Sequence, residues 1–198
     1  MVSVTIFVEG GGNSKELLSR CREGFSKLIK KMEFKRMPKI VACGGRNHAY
    51  DMFDTAMKSA NDDFSILLVD SEDPITLGPW EHLKVRDKWD RPVGAKDDQA
   101  QMMVTCMETW IMADHEALRN AFRSCLREGN LFPLNGLEKR SRQELLEALK
   151  SSTNDCGKNR GYDKGKRSFQ ILAILNPKLL EENLPYFKRF RKTLERHL

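Results

Sequence analysis

The chain has no run approaching the ~20 consecutive apolar residues that a membrane-spanning helix needs, which argues against a membrane partner. Its first residues, MVSVTIFVEGGG, carry neither a basic stretch nor a small-residue cleavage site, so they read as a strand rather than a secretory signal. Histidine is scarce: His48, His82, His115 and His197 are scattered without HxxxH or HxH spacing, which leaves no local zinc motif. The five cysteines, Cys21, Cys43, Cys106, Cys125 and Cys156, are odd in number and include no CxxC pair. That count argues against a disulfide framework and for a reducing cytoplasm. Neither GxSxG nor GxxxxGK[ST] occurs, so neither a nucleophile elbow nor an ATP-binding P-loop is present. Any ATP dependence would come from a partner.

What is present is an ordinary globular composition: 198 residues, 40% hydrophobic and 31% charged, enough for one large domain or one domain with an appendage. The net charge is +6 and the pI is about 9.1. Much of the positive charge lies between residues 157 and 196, among them Lys158, Arg160, Lys178, Lys188, Arg189, Arg191, Lys192 and Arg196. Such a segment is either a solvated basic face or a surface for a phosphate backbone.

Val2 to Val8 is apolar and β-rich, a buried strand ending at Glu9. Asn13, with Glu16 three residues on, reads as the N-cap of an amphipathic helix over 14–32. Lys39 to Cys43 is a second strand, a helix follows over 47–60, and Phe64 to Val69 is a third strand running into Asp70. This alternation predicts an α/β fold with parallel strands and right-handed crossovers. Residues 71–98 show little periodicity and read as one long irregular segment. Met102 to Met107 reads as a fourth strand, followed by Glu108 and a helix through Phe122. Ser141 and Glu144 have capping-box spacing for a helix over 141–150, residues 151–162 read as a polar loop, and the remainder is helical, interrupted by Pro177 and Pro185. Residues 1–122 thus form the core, and 123–198 a helical region packed on it or continuous with it.

Three strands end in or lead into carboxylates: Glu9; Asp70, Glu72 and Asp73; and Glu108. In a parallel sheet the C-terminal strand ends line one edge, where ligands bind. Carboxylates gathered there repel unless a cation neutralises them, and oxygen-only ligands favour Mg²⁺ or Mn²⁺. Taken singly, each is equally well a cap of the next element. Gly10, Gly11 and Gly12 after Glu9 allow a phosphate to approach the backbone near a helix N-terminus. Gly44, Gly45 and Arg46 make a second strand–glycine–helix junction, with Arg46 either a phosphate partner or a solvated arginine. Trp80, Trp89 and Trp110 either stack on bases or anchor loops to the core.

Val8-Glu9-Gly10 and Leu67 to Asp73 resemble the two acidic motifs of the TOPRIM fold of topoisomerases, primases and OLD-type nucleases. Met107-Glu108-Thr109-Trp110 resembles a further glutamate motif of the OLD-type nucleases, and Lys164-Gly165-Lys166 their late catalytic lysine. With CGGRN, LLVDSED, PWEHL, WDRP and METW, the chain also resembles a bacterial TOPRIM-like family of unknown function, often encoded beside an AAA- or ABC-type ATPase. Two positions depart from the pattern: Asn13 stands where an aspartate is usual, and the second motif is Asp70-Ser71-Glu72 rather than Asp-x-Asp. The resemblance implies a TOPRIM-like sheet and a Mg²⁺- or Mn²⁺-dependent nuclease acting on DNA or RNA, with an ATPase partner and a defence role. It implies metal ligation by Asp70, Glu72 or Asp73, and Glu108, with Glu9 as ligand or base and Lys164 or Lys166 meeting the phosphorane charge. A non-catalytic nucleic-acid-binding or regulatory subunit, or a nucleotide phosphoryl-transfer enzyme, fits the same residues. Whether the chain is a homo-oligomer stays open.

Overall fold

VTIFV is apolar at four of five positions, as a strand covered on both faces must be. It forms β1 (Val4–Val8), inside a parallel sheet with β2 (Lys39–Ala42), β3 (Phe64–Asp70) and β4 (Ala100–Met103), in the order β2-β1-β3-β4. The computed structural model describes residues 3–59 and 63–198. Val2, expected to open the first strand, and residue 60, expected to end the second helix, lie outside the described residues. Among those described, the helices are α1 (Lys15–Lys30), α2 (Arg46–Lys58), α3 (Pro79–Asp87), α4 (Met107–Met112), α5 (His115–Phe122), α6 (Arg142–Ser152), α7 (Lys166–Leu172), α8 (Pro177–Asn183) and α9 (Pro185–His197). None is long and apolar enough to cross a membrane.

Alternation along the inner strands sorts the core into two layers. Ile6, Val8, Ile66 and Leu68 face α1 and the C-terminal helices, where Trp110 packs against Phe25, Phe187 and Phe190. Phe7, Leu67 and Val69 face the other way, toward Phe53, Trp80 and Trp89. All three tryptophans are thus core anchors, none exposed for stacking on a base. Residues 123–198 share the first layer with the sheet through Leu145, Phe169, Leu172 and Phe187.

The structure corrects several expectations. Ser14, not Asn13, caps α1, its hydroxyl accepting from Leu17 N–H. Residues 71–98 are not wholly irregular: Gly78-Pro79 starts α3 and Lys88, in the left-handed region, ends it. The fourth strand is Ala100–Met103 rather than Met102 to Met107, so Glu108 sits inside α4 and not at a strand end. Cys125 and Cys156 form a single disulfide, a pair the sequence does not announce, while Cys21, Cys43 and Cys106 are free and buried. The basic C-terminal segment is partly structural. Arg189 donates to Ala100 O and Gln101 Oε1 of β4, Arg191 pairs with Glu181, and Arg196 with Asp98.

The first turn of α9 carries a pH-dependent contact. Glu138 accepts the Tyr186 N–H at 3.0 Å, and burial pushes its carboxyl from the ordinary 4.5 up to about 7. The folded chain therefore holds more protons than the unfolded one between those values, so stability falls as pH rises through that window. Glu138→Gln keeps the acceptor and removes the charge. Urea denaturation will show it more stable than wild type by about 1–2 kcal/mol at pH 8, after discounting for partial exposure, and equal to it at pH 4.5.

Candidate metal centre

Because all four strands are parallel, their C-terminal ends share one edge. The chain leaves β1 at Glu9, whose Oε2 accepts the Asp70 backbone N–H at 3.1 Å, so the ends of β1 and β3 are tied through a carboxylate. Glu72 follows with φ 67°, its N–H donated to Thr105 O at 2.7 Å. Oxygens of Glu9, Asp70 and Glu72 lie within 4.8 Å of one another. Of the five acidic residues expected at this edge, these three bring their oxygens together, and Glu108 is not among them. Nor is Asp73: it is largely exposed and pairs with Arg86, which also reaches Glu72 at 4.0 Å, so Glu72 is the inward-facing member of the second motif.

Glu108 reaches the same region from α4, almost fully buried, and its Oε1 accepts the Tyr162 hydroxyl at 2.9 Å and pairs with Lys164 Nζ at 3.5 Å. Lys164 and Arg142 line a cleft of about 320 Å³ together with Glu9, Asp70, Glu108 and Gly10, Gly11 and Gly12. Lys166, at the start of α7, is exposed and does not line it.

The glycine junctions build the floor. Gly10 and Gly44 exchange backbone hydrogen bonds at 2.9 and 3.0 Å, so neither N–H is available to a phosphate. Gly44 has φ +75°, and a Cβ there would lie 2.4 Å from Gly12 O, so only glycine closes this contact. Gly45 caps α2 and lies off the cleft. Gly11 and Gly12 also line the cleft.

Arg46 is not a solvated residue. Its guanidinium donates to Asp70 O at 2.8 Å, Glu9 Oε2 at 3.3 Å and Asp87 Oδ2 at 2.7 Å, and it stacks over Trp89. It ties four elements together and has little capacity left for a phosphate. Arg142, at the first position of α6, pairs with Glu72. Arg142 and Tyr162 escape sequence reasoning. The capping box at Ser141 locates Arg142 on a helix start without its direction, and Tyr162 hides in a polar loop.

The arginines gather on Glu72, which has Arg46, Arg86 and Arg142 within 4.0 Å, rather than on Asp70. Burial, then the neighbouring Glu9 and Glu108 carboxylates, hold the Asp70 carboxyl well above its ordinary value. Burial likewise raises Glu9 despite Arg46. Two carboxyls that resist ionisation beside one another, with a third in reach and only oxygen donors, fit a hard divalent cation. The donor set does not fit zinc, for among the described residues no histidine or cysteine belongs to the group.

A family model described as a domain of unknown function (DUF4276) matches residues 8–195. No curated protein and no solved structure matches the chain.

Proposed function

The chain belongs to the DUF4276 family of domains of unknown function, and we propose that its acidic centre binds Mg²⁺ or Mn²⁺ and hydrolyses phosphodiester bonds in DNA or RNA. The observation that carries this reading is the meeting of Glu9, Asp70 and Glu72 oxygens within 4.8 Å at the edge of a parallel sheet, beside a basic and glycine-lined cleft. The likeness of Val8-Glu9-Gly10 and Leu67 to Asp73 to TOPRIM motifs supports it, and that likeness alone underlies the proposed ATPase partner and defence role.

A bound ion supplies Lewis acidity at a phosphoryl oxygen and acidifies a water. The chain's own residues do the rest. Glu9 Oε2 is engaged by Arg46 and the Asp70 N–H, which leaves Oε1 to hold the ion or take a proton. Asp70 and Glu72 hold the ion. Gly11 and Gly12 let the phosphate lie close to the backbone, and Lys164 in the cleft neutralises charge that grows on the phosphoryl group. Arg142, also in the cleft, gives a second cation toward the polymer backbone.

Purified protein with Mg²⁺ or Mn²⁺ is expected to nick supercoiled plasmid or cleave RNA, and EDTA to stop it. Glu9→Gln is expected to reduce cleavage to background. No cleavage of either polymer with either ion, or an undiminished Glu9→Gln, sinks the assignment. Hydrolysis of mononucleotides alone would move it to the phosphoryl-transfer class.

A further inference from the structure

A two-ion site would need Glu108 as a ligand and Asp70 as a bridge using both its oxygens. Both have an oxygen already engaged. Asp70 Oδ1 accepts the Met107 N–H at 2.9 Å, which takes one of that oxygen's lone pairs. Glu108 lies outside the set whose ligand atoms converge. Its Oε1 is shared between the Tyr162 hydroxyl at 2.9 Å and Lys164 Nζ at 3.5 Å. Both donors come from the segment 157–165, which is anchored at Tyr162: the ring is buried, and its N–H donates to Thr153 Oγ1 at 2.8 Å.

Resting on the functional reading above, we infer that this is a one-ion site, in which the Lys164 ammonium, paired with Glu108, is a fixed cation where a second metal would otherwise sit. Tyr162 is a positioning residue: it touches Glu108, not the substrate, and orients the carboxylate that holds Lys164. Glu108 is thus the counter-ion of a lysine and not a metal ligand. The design is self-consistent in charge. Glu9, Asp70 and Glu72 converge on one ion, while Lys164 remains partly exposed to the cleft and able to meet a phosphate.

The test is calorimetric titration of the whole chain with Mn²⁺ alone, read as stoichiometry and affinity. Wild type should bind one ion. Glu108→Gln should still bind one, with affinity lowered by less than the about tenfold that loss of a supporting contact costs. Tyr162→Phe, which removes a single hydroxyl and preserves packing, should also bind one ion while kcat falls about 10–100-fold at unchanged KM. Two ions in wild type, or loss of the ion in Glu108→Gln, overturns the inference and leaves the nuclease reading standing. One ion without cleavage sustains it and removes the nuclease reading. No ion at all removes both. Should Glu108→Gln fail to fold, the wild-type stoichiometry and Tyr162→Phe still decide.

Discussion

Asp70→Asn will lose divalent-cation affinity by well over the about 10–100-fold that a missing supporting contact costs, cleavage will fall to background, and the variant will melt no lower than wild type. The two halves of this expectation come from the same geometry. Asp70 is buried, its carboxyl pushed up by desolvation and by Glu9 and Glu108. An asparagine keeps an oxygen for the Met107 N–H that Asp70 Oδ1 now accepts. It removes a charge that the fold holds at a cost, which is the ordinary trade between activity and stability at a binding site. The sign in pH follows. A carboxyl raised in the folded state binds more protons there than in the unfolded chain above the ordinary aspartate value of 3.8. Wild-type stability without metal therefore declines as pH rises through that range, and the Asp70→Asn profile is flatter. Thermal melts with and without Mn²⁺ separate the contributions: the ion should raise the wild-type melting temperature by mass action and leave the variant unmoved. A variant that melts far below wild type would mean that Asp70 is a structural cap of α4 and little else.

How much of this arrangement could be read in the sequence depends on how local the signal is. β1 and β3 are largely apolar runs leading into acids, and a run of that kind in an α/β alternation leaves few alternatives to a central parallel strand. Their adjacency follows, and with it the meeting of Glu9 and Asp70. The Ser141–Glu144 box is a three-residue signal and is found as read. The fourth strand misleads because Ala100-Gln101-Met102-Met103 is buried at every position and holds no β-branched residue. The β-branched Val104 and Thr105 pull the reading toward the connection. α3 buries only Trp80 and Leu83 and leaves Val85 exposed, so it has no apolar stripe; its signs are the Gly78-Pro79 start and little else. Partners set by long-range packing leave no local trace. Arg46 reaching Asp87, Arg142 reaching Glu72 and Tyr162 reaching Glu108 span 41, 70 and 54 residues of chain. Each of these residues taken alone reads as a surface polar group or a loop.

The cysteine pair carries the largest stability effect. Cys125 and Cys156 stand 31 residues apart, joined as a disulfide across the turn after α5 and the turn after α6. Closing a loop of that length restricts the unfolded chain by about 3–4 kcal/mol on the chain-entropy account. Replacing both with serine should lower the urea-unfolding free energy by that amount, and wild type unfolded under reducing conditions should match the variant. The site should not follow. Cys156 opens the segment that delivers Tyr162 and Lys164, but that segment has its own anchor, the Tyr162 N–H on Thr153 Oγ1, and α6 is held independently through Leu145 and Leu149 in the core. Mn²⁺ affinity in the double serine variant should therefore stay near wild type under conditions where both are folded. Equal stability of the oxidised, reduced and serine forms would mean that the two thiols do not pair in solution. A loss of Mn²⁺ affinity in step with stability would instead place the disulfide among the supports of the Glu9, Asp70 and Glu72 group, and would make the redox state of two cysteines remote from the cleft a control on the chemistry inside it.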